Sequence, residues 1–535
     1  MKDLKEDCGG LTRREFLALS GAGMAGMALA GMPDSVYSEE RKPKYGGVLR
    51  VGYRWGSTGL DAHKNQDFAD AAAYRLMYEG LTEQGKLPQV EIHPMLAKSW
   101  EISNDGREYI FPLKEGIKFH HGKEFDSSDV KYSVERMLNP ATRAPKAYAF
   151  RMIDSVQAID KYTVKFKLKE PFAPLLSTLT IHTCPIIPAG WEPTATKPAP
   201  GTGAFVFRSF VVNENFEVSR FDKYHMVDEK TGDRLPYLDG VHVRKIVDDT
   251  VRLTALRAGD IDYCAAPANS ALAKAILEKP IPGVIMDYIV VGNQTIWFNV
   301  TKPPFNNKKV RQAIAYALDK KEILKGVFWG LGETVNNQPF LKESRFYIPV
   351  EERKMDLAKA KQLMAEAGYP NGFKTEFFEF SMGTYLASAQ VVITQLKQIG
   401  IEGTMKIVDR APYYSMMRKG EFSISSGSFD ERFDWDDAYY MYLHSSEIGK
   451  NNYSRYSNKE LDGLLEKGRT TWRTEERRPV YKRAIEILRE DLPVLYLSKS
   501  VTGNAFRDYM KGFRKGFGTR FSWYGGGAMY WWLDK

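Results

Sequence analysis

Cysteine is scarce in this sequence, with three residues among 535. Cys8 precedes an N-terminal apolar segment and is expected to be removed with it, which leaves Cys184 and Cys264. Two cysteines are too few for a disulfide framework. We interpret both as buried thiols, and a single disulfide is the less favoured alternative.

Long apolar runs are also lacking. The segment from Phe16 to Ala30 is apolar, but it is shorter and richer in Gly and Ala than a membrane helix, which needs about 20 strongly apolar residues. No other stretch comes closer to that requirement. We therefore expect a mature chain that is soluble.

The same segment has the layout of an export signal. The basic pair Arg13-Arg14 in "TRREFL" is similar to a twin-arginine signal, and Ala28-Leu29-Ala30 fits the A-x-A cleavage pattern. An amphipathic helix inside the domain is the alternative, but the frequent glycines disfavour it. We expect residues 1–30 to be the signal, residues 31–44 to be a linker, and the protein to be periplasmic.

Catalytic and metal-binding motifs are missing as well. There is no P-loop, no G-x-S-x-G and no H-E-x-x-H. His120 and His121 are adjacent, and neighbouring residues of a strand point to opposite faces, so joint metal chelation is disfavoured. "GTGAF" (201–205) is interpreted as a turn into a strand. The sequence therefore predicts no cofactor and no metal site.

Charge of one sign is not concentrated anywhere. The net charge is +9, and 27% of residues are charged, but Lys and Arg alternate with Asp and Glu along most of the chain. This distribution argues against a nucleic-acid partner. Aromatic residues, at 13%, are unusually frequent, which fits a ligand cleft or additional aromatic packing in the core.

The first half of the chain alternates strands and helices. Residues 107–115 and 161–170 show the period-two alternation of strands, and a helix between them is predicted to begin with Ser127 or Ser128 as its N-cap. A segment dense in Pro and Gly marks a domain boundary near residue 198.

The second half is richer in helices. A helix is predicted from an Asn cap through "KKVRQAIAYALDKKEIL", another begins at Asp356, and Ser457 with Glu460 forms a candidate capping box. Residues 386–400 form a helix that ends on Gly400 and leads into a strand. Helices that alternate with short strands indicate α/β architecture.

Acidic and aromatic residues are concentrated in "SGSFDERFDWDDAYYMYLHSS" (426–446). One interpretation is a ligand-binding wall in which a carboxylate holds a cationic or hydroxyl group and aromatic rings stack on the rest. The other is a helix N-terminus with favourable acidic residues, followed by core aromatics. A glycosidase pair of carboxylates is a weaker third possibility. The residues concerned are Asp430, Asp434, Trp435, Asp436, Asp437, Tyr439 and Tyr440.

Several long segments together resemble one known family. "FNVTKPPFNNKKVRQAIAYALDKKEILKGVFWGLG" (298–332) closely resembles a segment typical of the family 5 extracellular solute-binding proteins, the dipeptide-, oligopeptide- and nickel-binding components of ABC importers. "LKEGIKFHHGKEFDSSDVKYSVERM", "GTGAFVFRSF", "AKQLMAEAGYPNGF" and "NYSRYSNKELDGLLEKG" resemble other segments of the family. They occur in the family's order and cover nearly all of the chain from Tyr45 onwards.

The resemblance implies an α/β, two-lobed periplasmic-binding-protein type II (cluster C) fold with an extra α/β domain inserted in the first lobe. The first lobe would comprise residues 45–85, 199–297 and 500–535. The accessory domain would comprise residues 86–198, and the second lobe residues 298–499. The boundary near residue 198 agrees with this division.

The resemblance also implies capture rather than catalysis. The lobes would close over a peptide or another oligomeric or amine-bearing solute and present it to an ABC permease and ATPase complex. The protein is expected to be a monomer and not an enzyme. A carboxylate-dependent hydrolase using Asp430 and Asp434, and a receptor that signals to a membrane sensor, are the alternatives.

Candidate ligand residues follow from the resemblance. Asp430 matches the aspartate that holds the amino terminus of a peptide in related proteins, and Trp435 and Tyr439 follow it closely. Asn65 or Gln66 matches a ligand-facing loop of the first lobe, and Trp55 precedes that loop. Trp297 lies at the crossover between lobes, where ligand contact and hinge packing are both expected.

One departure from the family bears on specificity. Dipeptide binders hold the peptide carboxylate with an Arg ahead of a second-lobe helix. The corresponding stretch here, "FFEFSMGTYLASAQ" (377–390), contains neither Arg nor Lys. Without a charge-assisted bidentate partner for a carboxylate, dipeptide specificity is not expected.

Overall fold

The structure is a computed structural model. It describes residues 41–54, 56–64, 68–85, 91–180, 184–264, 276, 278–381, 383–429, 434–513 and 527–535. The predicted export signal, residues 1–30, lies outside this range. No helix of the described residues combines the length and the apolar composition that a bilayer span requires.

The described chain alternates strands and helices, as predicted for an α/β protein. The strands are β1 (Val48–Tyr53), β2 (Thr82–Gln84), β3 (Ile92–Pro94), β4 (Glu101–Ile102), β5 (Glu108–Pro112), β6 (Ile153–Asp160), β7 (Thr163–Leu168), β8 (Phe205–Val211), β9 (Asn215–Arg220), β10 (Gly240–Lys245), β11 (Tyr263–Cys264), β12 (Val284–Phe298), β13 (Glu333–Thr334), β14 (Phe373–Phe380), β15 (Ile401–Val408), β16 (Ile424–Phe429), β17 (Val494–Arg507), β18 (Met510–Lys511) and β19 (Trp532–Leu533). The helices are α1 (Phe68–Met77), α2 (Ser127–Leu138), α3 (Leu175–Thr178), α4 (Asp249–Ala258), α5 (Lys308–Ala317), α6 (Lys320–Phe328), α7 (Leu357–Glu366), α8 (Gly383–Leu396), α9 (Arg410–Lys419), α10 (Trp435–Leu443), α11 (Lys459–Thr470), α12 (Thr474–Asp491) and α13 (Gly527–Tyr530).

One mixed sheet runs through both halves of the chain. Its strand order is β15-β14-β16-β12-β17-β11-β1-β10-β9-β8, and β13 also pairs with β17. Strands β1, β10 and β11 are parallel to one another, and β14 is parallel to β15. The two central strands, β12 and β17, are antiparallel and pair from Val284 opposite Arg507 to Trp297 opposite Val494. They are the longest strands described. They join the strands on the first-half side of the sheet (β11, β1, β10, β9 and β8) to those on the second-half side (β16, β14 and β15).

Apolar residues form separate cores along this sheet. One core covers β1, β8, β9 and β10 together with the C-terminal segment. Two others lie on either side of the second-half strands. A fourth core surrounds a separate four-stranded sheet of order β4-β5-β7-β6, together with α2. This last unit falls inside the segment predicted as the accessory domain, and we call it the inserted domain; the exact boundaries of the lobes stay predictions.

Helix caps agree with the sequence only in part. Asp356 caps α7 as predicted, by accepting a hydrogen bond from the backbone N–H of Lys359. The cap predicted at Ser127 or Ser128 is wrong, because Asp126 caps α2 and Asp129 returns a carboxylate to the N–H of Asp126. In such a reciprocal cap each of the two aspartates accepts from a backbone N–H near the start of the helix, so two donors are satisfied together.

Two further predictions about helices are corrected. The capping box of Ser457 and Glu460 is wrong, since Asn458 accepts from the first free N–H groups of α11. The helix predicted through "KKVRQAIAYALDKKEIL" is divided into α5 and α6, because the side chain of Asp319 caps a new helix. A side chain that satisfies free N–H groups can start a helix inside an otherwise periodic apolar pattern.

The inserted domain is fixed to the first half by a buried ion pair. Arg136 of α2 donates to both carboxylate oxygens of Asp61, at 3.0 and 2.7 Å. Asp61 lies in the loop that follows β1, and both side chains are almost completely buried. A bidentate pair of this kind fixes orientation as well as distance.

We expect Asp61→Ala to lower the free energy of unfolding by about 3 kcal/mol, because Arg136 would keep a buried charge without its main partner. Urea denaturation measures the change. Glu135→Ala on the same helix is the matched control, since its pair with Lys131 is exposed and should contribute less than about 1 kcal/mol. Equal effects of the two substitutions would contradict the expectation.

Candidate functional site

The pairing of β12 with β17 is irregular at its middle. The register shifts between Val291 and Asn293 and again between Gln294 and Thr295. Gly292 has a φ of +67°, a left-handed conformation that glycine adopts without steric cost. Bulges re-aim side chains and are frequent next to functional sites.

Polar side chains converge on one face of this irregular segment. Asn293 lies opposite Lys499 and Thr295 opposite Tyr496, so all four point to the same side of the sheet. Asn337 joins them by accepting a hydrogen bond from the backbone N–H of Tyr496, at 2.9 Å. We call the following buried residues the crossing site: Asn293, Thr295, Asn337, Tyr439 and Lys499.

Several polar atoms of the crossing site are buried without a hydrogen-bond partner. They are both amide atoms of Asn293, Thr295 Oγ1, Asn337 Nδ2 and Tyr439 Oη. An unsatisfied buried polar group costs about 1–3 kcal/mol, so folded proteins rarely retain several of them in one place without a functional reason. Most of these groups are hydrogen-bond donors, and the site also contains the fully buried side chain of Lys499, which pairs with Glu333 of β13 across the sheet. The arrangement suits a ligand rich in carbonyl or carboxylate oxygens.

A second polar group lies on the opposite face of the sheet, beneath α8. Glu379 of β14 accepts a hydrogen bond from the backbone N–H of Ser426, at 2.8 Å, through Oε1, while Oε2 has no partner. Burial raises the pKa of Glu379 to about 8, although hydrogen bonding from Ser426 acts in the opposite direction. The side chain is therefore a neutral acid at pH 7. It lies inside the stretch where the family resemblance implied an arginine.

Asp430, the aspartate expected to hold the ligand, lies outside the described residues, directly after the end of β16. Asp434, which follows, caps α10 and forms a buried bidentate pair with Arg477. Asp436 forms a similar pair with Arg469, at 2.8 and 2.9 Å. Both carboxylates are engaged by arginines, so Asp434 is poorly placed to act as the acid or base of a hydrolase. The interpretation of this segment as an acidic helix start followed by core aromatics describes Asp434 and Asp436 well.

Trp435 and Tyr439, the predicted stacking residues, are both buried in the core between α10 and α12. The indole N–H of Trp435 donates to the carbonyl oxygen of Phe346, at 2.6 Å, and its ring stacks on Tyr481. These contacts account for the position of Trp435 in the core. Its contact with a ligand stays a prediction. Tyr439 differs in that its hydroxyl has no hydrogen-bond partner, and it interacts electrostatically with Tyr496 of β17 and with Tyr481.

Trp297 lies near one end of the β12–β16 pairing, opposite Ser425. Its ring is 3% exposed and contacts Tyr442 and Tyr453, with centroids 5.8 and 5.5 Å apart. The indole lies directly over Gly427, where a Cβ atom would come within 2.5 Å of Nε1. Both roles expected of Trp297, ligand contact and hinge packing, stay predictions.

The first-half residues expected to face the ligand, Trp55, Asn65 and Gln66, lie outside the described residues. The loop that leads to Asn65 and Gln66 is described and is firmly held. Asp61 pairs with Arg136, and the imidazole Nε2 of His63 lies 2.8 Å from the carbonyl oxygen of Pro185. The inserted domain thus fixes the start of this loop, while the ligand roles of the three residues stay predictions.

The adjacent histidines have different surroundings. The Nε2 atom of His120 lies 2.9 Å from the carbonyl oxygen of Gly203, and its Nδ1 accepts from the N–H of Gly201. Burial lowers the pKa of His120 to about 4. The ring of His121 lies against Trp191. Within the described part of the chain, no three His, Cys, Asp or Glu side chains are grouped as metal ligands would be.

The two cysteines are free and buried, as interpreted from the sequence. Burial raises the pKa of the Cys184 thiol to about 12 and that of Cys264 to about 11. Both thiols are therefore protonated at neutral pH, which makes them poor nucleophiles.

Sequence reasoning did not identify Asn293, Thr295, Asn337 or Lys499. A signal for the first two is present in "VIMDYIVVGNQTIWF", where the polar run "GNQT" interrupts an apolar strand. A Gly inside a strand indicates a bulge, and consecutive polar residues in a central strand are unfavourable without a use. Asn337 and Lys499 come from distant segments, and only pairing with β17 brings them to the site.

The comparison with family models decides the assignment. Residues 91–451 match the model described as "Bacterial extracellular solute-binding proteins, family 5 Middle". The chain belongs to family 5 of the bacterial extracellular solute-binding proteins. This membership confirms the resemblance drawn from the sequence.

Named relatives and solved structures agree with the membership. This solute-binding protein is 30% identical to heme-binding protein A of Haemophilus influenzae over 83% of its own length and 85% of the relative's. It is 29% identical to glutathione-binding protein GsiB of Pectobacterium atrosepticum, over 87% and 91%. The structure of the periplasmic binding protein DppA from Helicobacter pylori, in complex with the peptide STSA, matches with 27% identity and a TM-score of 0.77, over 92% and 99% of the chains.

These matches confirm the two-lobed type II fold of the peptide-binding class and the function of solute binding. They also extend across nearly the whole of each relative.

We expect Gly427→Ala to lower the melting temperature and to shift the tryptophan fluorescence, because the added methyl group would displace the indole of Trp297. Forcing a methyl group into a packed core costs about 1–3 kcal/mol. Gly463→Ala, in the exposed part of α11 where a Cβ meets nothing within 4 Å, is the control and should be neutral or stabilising. Thermal unfolding of both variants tests the expectation, which fails if Gly427→Ala is as stable as the control.

Glu379→Gln should change the pH dependence of stability. In the folded protein the pKa of Glu379 is raised by burial to about 8, whereas in the unfolded chain it returns to its ordinary value of 4.5. The folded state therefore binds the additional proton between these values, and wild-type stability falls as pH rises through this window.

The glutamine variant cannot titrate there, so its free energy of unfolding should exceed that of wild type by a margin that grows from pH 5 to pH 8. Urea denaturation at several pH values measures the difference. Glu376→Gln, exposed on the same strand, is the matched control. Parallel curves for wild type and Glu379→Gln would show that the burial of Glu379 does not control its protonation.

Proposed function

We propose that this protein captures a small solute outside the cytoplasm and delivers it to an ABC permease and ATPase complex. The observation that carries the proposal is the crossing site, where unpartnered polar groups converge on the two strands shared by both halves. Export through the twin-arginine route, with cleavage after Ala30, and a monomeric state are part of the same proposal.

The proposed ligand is a peptide or a similar solute that carries several carbonyl or carboxylate oxygens. Three of the crossing-site groups, Asn293 Nδ2, Asn337 Nδ2 and Tyr439 Oη, are donors without a partner. Peptide carbonyl oxygens would complete them, and Asp430 would take an amino group. Relatives named for heme and glutathione, and a structure holding a tetrapeptide, have ligands with carboxylates or amide oxygens, which supports this choice.

Capture follows from the two shared strands. The halves can move relative to one another by changes in the twist of β12 and β17 at the irregular segment around Gly292. A ligand that contacts both halves only in the closed form shifts the equilibrium toward closure. Release to the permease requires that this shift be modest, which fits a site built from hydrogen bonds of about 0.5–1.5 kcal/mol each.

The first experiment identifies the ligand. Native mass spectrometry of the purified protein detects a retained solute, and calorimetry with the peptide STSA, glutathione and heme tests binding directly. We expect one of these classes to bind without being chemically altered. Absence of a retained solute together with no binding across a broad peptide library would contradict the proposal, and so would a ligand that is converted.

The second experiment locates the site. Tyr439→Phe removes one unpartnered donor and should weaken binding of the identified solute by up to about tenfold, the equivalent of one net hydrogen bond. Tyr481→Phe is the matched control, because its hydroxyl is equally buried in the same core but lies against Gly468 of α11. Equal affinities of wild type and Tyr439→Phe would exclude the hydroxyl from the site.

A further inference from the structure

The inserted domain contacts the second half as well as the first. The backbone N–H of Ala173 donates to the carbonyl oxygen of Arg469 in α11, at 2.9 Å. The guanidinium of Arg469 lies 5.7 Å from the ring centroid of the neighbouring Phe172. These contacts join segments that are nearly 300 positions apart in sequence and that belong to different cores.

A second contact lies next to the first. Gly106, in the turn before β5, packs against Trp472 between α11 and α12, so closely that a Cβ atom would be 2.5 Å from Cδ1 of the indole. The backbone φ of Gly106 is +70°, so the turn is built for a residue without a side chain at this point. We call Gly106, Phe172, Ala173, Arg469 and Trp472 the rim contact.

The second-half side of the rim contact is held rigidly. Arg469 forms a bidentate pair with Asp436, and its guanidinium stacks 3.2 Å from the ring centroid of Tyr440. Asp436 and Tyr440 are on α10, which begins five residues after Asp430. The rim contact is therefore connected through a single arginine to the segment expected to touch the ligand.

The first-half side is rigid too. The buried pair of Asp61 with Arg136 joins the inserted domain to the first half, and the backbone of His120 bonds to Gly201 at 2.8 Å. The rim contact is smaller and includes a half-buried tryptophan and a single backbone hydrogen bond. The rim contact is therefore the weaker of the two attachments of the inserted domain.

We propose that the rim contact is a closure latch that stabilises the closed form without touching the ligand. The proposal rests on the capture function. The apparent affinity for a ligand is scaled by the fraction of molecules in the closed form. The latch therefore changes the affinity for every ligand by the same factor. The crossing site determines which ligand binds. Trp472 and Phe172 are thus positioning residues for capture.

The test uses the ligand-free full-length mature protein, so it does not depend on identifying the solute. Trp472→Ala should increase the radius of gyration in small-angle scattering. It should also raise the amide exchange rate of a peptide containing Ala173 by about tenfold. Trp472→Phe keeps an aromatic ring over Gly106 and should restore most of the wild-type behaviour.

Trp191→Ala is the matched control. Trp191 is also half-buried, but it packs against His121 within the first half of the chain. It should leave both the exchange at Ala173 and the radius of gyration at their wild-type values. The latch is overturned if Trp472→Ala leaves both measurements unchanged, or if Trp191→Ala alters them to the same extent. Failure of the protein to bind any solute would instead contradict the capture function, and it would not change the scattering and exchange results.

Discussion

The pairing of β12 with β17 is the interaction on which the rest of the structure depends. At one end Ile285 lies opposite Phe506, which belongs to the first core, and at the other end Ile296 lies opposite Leu495 in a second-half core. A single ladder of backbone hydrogen bonds therefore passes through the cores of both halves. Any relative movement of the halves has to be accommodated by these two strands, and their irregular middle is where twist can change without loss of the flanking pairs.

The same irregular middle is costly to build. Its polar groups are withdrawn from water without full replacement of their hydrogen bonds, whereas apolar residues there would pack at no such cost. Apolar cores on either side of the strands offset this penalty. The location of several unsatisfied groups, on the two strands that pass through the cores of both halves, is what connects the fold to ligand capture.

The two halves are joined at two different places. The sheet joins them along β12 and β17, and the inserted domain reaches the second half at the rim contact. Arg469 takes part in the rim contact, and its ion pair with Asp436 connects that contact to the start of α10. Buried arginine–carboxylate pairs recur at these points because a bidentate pair fixes both distance and orientation. The inserted domain therefore has a mechanical role in closure in addition to supporting the first-half loop.

Much of the fold was accessible from the sequence, because periodicity reports local structure directly. The strand of residues 401–408 and the cap at Asp356 follow from patterns of neighbouring residues, the free thiols from the low number of cysteines, and the family from the resemblance of several long segments. The caps at Asp126 and Asn458 were missed because adjacent polar residues compete for the same free N–H groups, and backbone geometry chooses between them.

The candidate site was much less accessible. The surroundings of Trp435, whose N–H donates to the carbonyl oxygen of Phe346 in the core, could not be predicted, since the direction of a helix face depends on what packs beneath it. Asn293, Asn337 and Lys499 come together only through the register of β12 and β17. By itself the sequence determined the alternation of strands and helices through local periodicity, and its resemblance to family 5 indicated the two-lobed fold and the capture of a solute. Tertiary structure alone decided which polar groups are left without partners, because burial depends on contacts between residues far apart in the chain.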